Sequence, residues 1–162
     1  MLVAICVGGA GSLGWTGHGA ATAPARRFEV EHSEAEWRRR LTPDQFQVLR
    51  QHGTERAGTS PLDREGRKGL FHCAGCDLPV FDSATKYDSR TGWPSFWAPI
   101  AGAVGTSVDR TFFWQTRTEV HCSRCGGHLG HVFDDGPPPT CKRYCMNGIA
   151  MTFRPAAAGA QS

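Results

Sequence analysis

Hydrophobic positions change their spacing near residue 70, and the two regimes predict different elements. Upstream, Ser33-Glu34-Ala35-Glu36 is a capping-box pattern, in which a hydroxyl and a carboxylate three residues apart satisfy each other's backbone amides. It opens a short helix ending at about Arg40. Thr42-Pro43-Asp44-Gln45 sets a capping hydroxyl before a proline at the first helical position. That second helix runs to about His52, with Phe46 and Leu49 on its buried face. Residues 53–69 are polar and turn-rich and read as a surface connection. After Leu70 the apolar runs are short, β-branched or aromatic: FHCAGC, LPVFDS, FWAPI, AVGTSVD, TFFWQTRTEVHC, GHVFD and IAMTF, separated by Gly, Pro, Asp and Ser. This pattern predicts an antiparallel β domain preceded by short helices.

At 162 residues the chain suits one domain, residues 26–154, with a segment to spare at each end. Residues 1–25 are apolar and small-residue-rich and read as a leader, with Ala21-Thr22-Ala23 or Ala23-Pro24-Ala25 as an A-x-A cleavage site. A working leader sends the protein to a periplasm; without one it is cytoplasmic. The stretch lacks a basic start and is too glycine-rich for a spanning helix. Cys6 lies within it and reads most plainly as a leader residue, and Ile5 stands where a lipobox needs a small residue. Residues 155–162, rich in Ala and Gly, read as a disordered tail. The net charge is only +3, with basic residues scattered among 38–40, 64–68 and Arg117, which argues against nucleic acid as a partner.

Seven cysteines are many for this length. Their odd number and their grouping argue for metal over a disulfide framework. Cys73 with Cys76, and Cys122 with Cys125, are two C-x-x-C pairs, each able to aim two thiolates at one ion from a tight turn. Four thiolates close the shell of a single Zn2+ and leave no position for water, so such a site is structural. Cys141 and Cys145 remain outside the pairs. Cys145 lies in a run with His128, His131, Arg143 and Asn147, and a spare cysteine near imidazoles and a cation is raw material for thiolate chemistry. The plain alternatives are a buried structural thiol and two framework histidines.

Three further stretches make the pattern specific: KYDSRTGWPSFW, TEVHCSRCGGHLGHVFDDGPPPT and RYCMN, in that order and together with the two C-x-x-C pairs. Over residues 34–153 the chain resembles the methionine-R-sulfoxide reductase (MsrB) family in its zinc-containing form. The resemblance implies two antiparallel sheets in a tent-like or barrel-like β fold with short N-terminal helices. It implies reduction of the R epimer of methionine sulfoxide, mostly in proteins, by a monomer recycled by thioredoxin or a similar thiol. In that scheme Cys145 is the nucleophile, His131 donates a proton to the sulfoxide oxygen, His128 assists through hydrogen bonds, and Asn147 helps hold substrate or water. Arg143 biases the thiol. The Trp93 indole receives the methyl group, with Phe133 and Phe96 as further walls of the pocket. Arg117 and Glu119 form a buried pair or orient a histidine.

The chain also departs from the family. Many relatives carry a second, resolving cysteine where this chain has Thr91. Three routes for recycling Cys145 stay open: Cys141, direct reduction by an external thiol, and Cys6. A zinc-ribbon binding module and a redox sensor are the rival readings of the whole chain; neither needs turnover.

Overall fold

The computed structural model describes residues 27–112 and 115–157. The leader, Cys6 and residues 158–162 lie outside them. Helix α1 spans Glu34–Arg40 and α2 spans Pro43–Gln51, each closed at its start by a reciprocal capping box, Ser33 with Glu36 and Thr42 with Gln45. α2 stops where His52 turns left-handed at φ 55°. Helices of seven and nine residues do not persist alone in water. Burial holds them: Trp37, Phe46, Val48 and Leu49 are all less than 5% exposed.

Two antiparallel sheets follow. In the first, β1 (Gly69–Cys73) lies between β2 (Pro79–Asp82) and β9 (Met151–Pro155). The second has six strands. Its sequence-ordered members are β3 (Lys86–Tyr87), β4 (Ser95–Phe96), β5 (Val104–Phe112), β6 (Gln115–Cys122), β7 (His128–Phe133) and β8 (Arg143–Met146), arranged β3-β4-β8-β7-β6-β5. The sheets meet through aromatic rings. Phe96 stacks on Phe81 at 4.3 Å and receives Phe71 edge-on at 4.9 Å, while Phe153 tilts against Phe71 at 5.0 Å. Each such pair adds about 0.5–1.5 kcal/mol to the area it buries. Phe96 is fully buried in this contact, so it is core and not a wall of a substrate pocket.

The mainly β architecture is as expected, and the strands depart from the apolar runs of the sequence at three places. TFFWQTRTEVHC is not one strand: β5 ends at Phe112 and β6 begins opposite it at Gln115. Only Ser95–Phe96 of the FWAPI region is extended in the sheet. RYCM, which has no alternating pattern, is a strand nonetheless, because β8 is bonded on both sides by β4 and β7. Among the described residues no helix is long and apolar enough to cross a membrane.

Candidate active site

Register brings the chemistry together. β7 and β8 pair with His131 opposite Cys145, and β4 places Ser95 on the other side of the same cysteine. Directly opposed side chains share a face with Cβ atoms about 4.5–5.5 Å apart. Gly130 permits this pairing: a Cβ there would stand 2.2 Å from the Cys145 carbonyl oxygen. Cys145 and His131 line a cleft of about 130 Å³ with Trp93, Phe133, Asn147 and Arg117.

Each wall has a support. The Trp93 Nε1–H donates to the Glu55 carbonyl at 3.1 Å, and Arg143 lies 4.4 Å over the Phe133 ring while gripping Asp135 through two 2.8 Å bonds. Asn147 is buried. Its Oδ1 accepts from Glu55 N at 2.9 Å, and its amide donates to Leu129 O at 3.1 Å. The Glu55 carboxylate in turn accepts from Gly148 N and Ile149 N at 2.6 and 2.9 Å. Residues 53–69 are therefore more than a surface connection. Gly92, at φ +85°, lets the turn before Trp93 approach that segment, and Gly58 N donates to Gly92 O at 2.7 Å.

Burial sets the protonation states. It raises the Cys145 thiol above its ordinary value, opposed by the Thr91 hydroxyl, the Arg143 guanidinium and the Ser95 hydroxyl. It lowers His131 below the usual imidazole value, opposed by Asp109, whose Oδ2 accepts from His131 Nε2 at 2.8 Å and from Arg117 Nη2 at 2.8 Å. Burial thus disfavours the charged form of both groups. A chain of hydroxyls backs the sulfur: Ser89 bonds both Thr91 and Ser95, and Thr91 Oγ1 lies 4.0 Å from Cys145 Sγ.

His128 lies outside this cleft and lines the adjoining groove. Its Nδ1 is 2.7 Å from Glu119 Oε1, and its ring meets His131 edge-on at 5.3 Å. That hydrogen bond, aided by Ser107, holds the Glu119 carboxyl at about 2. Of the two expectations for Glu119, orienting a histidine is the one seen, while Arg117 pairs with Asp109. Cys141 is exposed at φ 55° and does not line the cleft. Asp109, Glu55 and Ser89 escaped the sequence reading, since each acts on a residue distant in the chain and carries no local motif.

The four paired cysteines converge where β1 and β6 end. Their sulfurs all lie within 4.8 Å of one another, with Cys73–Cys125 at 3.7 Å and Cys76–Cys122 at 3.5 Å. A tetrahedral ion with metal–sulfur bonds of about 2.3 Å spaces its sulfurs by about 3.8 Å, so the cluster fits one. It could hold a metal ion without rearrangement. The cysteines span both sheets, and α1 covers them through Trp37, over which Arg50 lies while bonding the Cys125 carbonyl.

Comparison with known proteins agrees with this geometry. The SelR domain matches residues 41–155. The chain belongs to the SelR-domain (MsrB) family. It is 53% identical over 128 residues to the "Peptide methionine sulfoxide reductase MsrB" of Agrobacterium fabrum, covering 78% of this chain and 94% of that one. A protein of the same name from Methanosarcina barkeri is 48% identical over 132 residues, covering 82% and 93%. "Peptide methionine sulfoxide reductase B1, chloroplastic" of Arabidopsis thaliana is 52% identical over 119 residues, 74% of this chain and 59% of that longer protein. Membership in the family thus rests on most of the described domain, including both C-x-x-C pairs, Trp93 and Cys145.

Proposed function

We propose that the protein reduces the R epimer of methionine sulfoxide, chiefly in peptides and proteins, with Cys145 as nucleophile. The observation that carries this reading is the pairing of Cys145 with His131 across β7 and β8 in one cleft with Trp93 and Phe133. In the reaction a bond forms between Cys145 Sγ and the sulfoxide sulfur while the oxygen takes up a proton. The hydroxyl then passes to Cys145 Sγ as the bond between the two sulfurs and the original S–O bond break, leaving methionine and a sulfenic acid. Thiol plus sulfoxide becomes sulfenic acid plus thioether, so the proton the sulfur loses is the proton the oxygen gains. His131 accepts and returns that proton, which a neutral imidazole beside an un-ionised thiol is suited to do. His128, bonded to Glu119, backs the His131 ring. Asn147 keeps a second amide hydrogen for substrate or water.

Stereochemistry follows from three directions at one sulfur. The methyl lies on the Trp93 indole, the oxygen faces His131, and the methionine chain leaves by the opening. Exchanging methyl and oxygen sets the oxygen against the ring without a donor, costing about 1–3 kcal/mol for each hydrogen bond left unmade. The sulfenic acid is reduced by thioredoxin or another thiol, directly or after Cys141 forms a disulfide with Cys145. Zn2+ is the ion suited to Cys73, Cys76, Cys122 and Cys125, where it supplies folding energy and no chemistry. The protein acts as a monomer.

Each sulfoxide diastereomer, presented separately with dithiothreitol, tests the reading. The expected outcome is turnover of the R epimer alone and none by Cys145→Ser. Equal turnover of both epimers removes Trp93 as the stereochemical reader, and no turnover of either leaves a zinc-ribbon module or a redox sensor.

A further inference from the structure

A second group of metal-ligating side chains stands beside the cleft. His52 Nδ1 and His128 Nδ1 converge on one oxygen, Glu119 Oε1, at 2.8 and 2.7 Å, and the three donor atoms lie within 4.8 Å of one another. They come from three elements: the end of α2, strand β6 and the start of β7. The other carboxylate oxygen, Oε2, accepts from Ser107 Oγ at 2.7 Å, which fixes the plane of the group. The trio runs from solvent to interior, since the His52 side chain is 66% exposed and that of His128 only 2%. It borders a groove of about 610 Å³ with room for water ligands, shared with His131.

We propose that His52, Glu119 and His128 form a binding site for a divalent transition metal of the Ni2+ or Cu2+ class, and that an ion there slows the reductase. Donor type selects the class. The two Nδ1···Oε1 separations of 2.7–2.8 Å are hydrogen bonds that an ion would replace, with the three donor atoms already within 4.8 Å of one another. Imidazole and carboxylate donors set this trio apart from the all-thiolate cluster. One carboxylate and two imidazoles suit Ni2+ or Cu2+ and do not suit Ca2+ or Mg2+, which take oxygen shells. Of the arginines on the groove, Arg117 is already paired with Asp109. An ion on His128 takes the place of its bond to Glu119 and puts two positive charges one ring away from His131, 5.3 Å centroid to centroid.

The binding half stands apart from the reductase reading; the slowing half rests on it. The test uses reduced, zinc-loaded protein in thiol-free buffer, titrated calorimetrically with NiCl2, as wild type and as His52→Gln. His52 is exposed and does not line the cleft, so the variant should fold and keep its basal rate. Expected are a one-to-one site whose Kd rises at least tenfold in His52→Gln, and a single-turnover rate that one equivalent of Ni2+ lowers at least fivefold in wild type only. Ni2+ does not oxidise thiols, so Cys145 survives the measurement. Identical isotherms for the two proteins would overturn the site, and tight binding with an unchanged rate would overturn its link to His131. Absence of sulfoxide reduction before any Ni2+ is added would sink the reductase reading and leave the isotherms to decide the site.

Discussion

Burial pushes His131, and the hydrogen bond from His128 pushes Glu119, below the ordinary pKa value, and the two shifts have the same consequence for stability. As pH falls through 6.5, the unfolded chain binds a proton at His131 that the folded protein resists, so stability drops. Glu119 stabilises fully above 4.5 and loses that contribution as pH falls toward about 2. Urea midpoints should therefore decline in two stages, with the lower stage smaller in Glu119→Gln; a flat profile from 6.5 to 5 would contradict the burial argument for His131. Thr91 supplies a second prediction at this scale. Its Oγ1 is 4.0 Å from Cys145 Sγ, so Thr91→Cys should form a disulfide between positions 91 and 145 after one turnover, read by mass spectrometry of the linked peptides. Cys141 is exposed and outside the cleft, so Cys141→Ser shows whether it relays: a fall in thioredoxin-driven turnover marks a relay, and unchanged turnover assigns recycling to the external thiol. Cys145, His131 and Trp93 were legible in the sequence because each sits in a dense motif. Asp109 was not, because an aspartate on a strand acquires meaning only once its pairing with Arg117 and reach to His131 are known.

Among the elements, the connection at 53–69 departs most from its sequence reading. Its polarity suggested solvent, yet Glu55 uses its carboxylate on Gly148 and Ile149, its amide on Asn147 and its carbonyl on Trp93. Glu55→Ala orphans two partly buried amides, at about 1–3 kcal/mol each, and loosens the carbonyl that orients the indole. Chemical unfolding should show a loss in that range, and kcat/KM for the R epimer should fall severalfold. An unaltered kcat/KM would mean Trp93 is held by packing alone. Helix starts were legible to the residue because a capping box is local chemistry. β8 was not, because four residues with no alternation become a strand only when β4 and β7 bond them from both sides.

At the scale of the molecule, the four-cysteine cluster ties the end of β1 in one sheet to the end of β6 in the other. With one ion bound, Cys122→Ser should release the metal and cost several kcal/mol, lowering Tm by roughly 10 °C at about 2–4 °C per kcal/mol for a domain of this size. Metal analysis and thermal melts check both halves. Retained R-epimer turnover at low temperature is expected, since the cluster does not line the cleft.

The amino-acid order alone determined which groups are available: two C-x-x-C turns for an ion, a spare cysteine, two histidines three residues apart and an indole after a glycine. Those are matters of residue type and short spacing, which need no partner to be read. Tertiary structure decided which groups meet. The β7–β8 register put His131 opposite Cys145, the meeting of the two sheets buried Phe96 in the core, and the end of α2 carried His52 to Glu119. Contacts between residues tens of positions apart depend on how sheets and helices close over a shared core, and no local pattern encodes that closure.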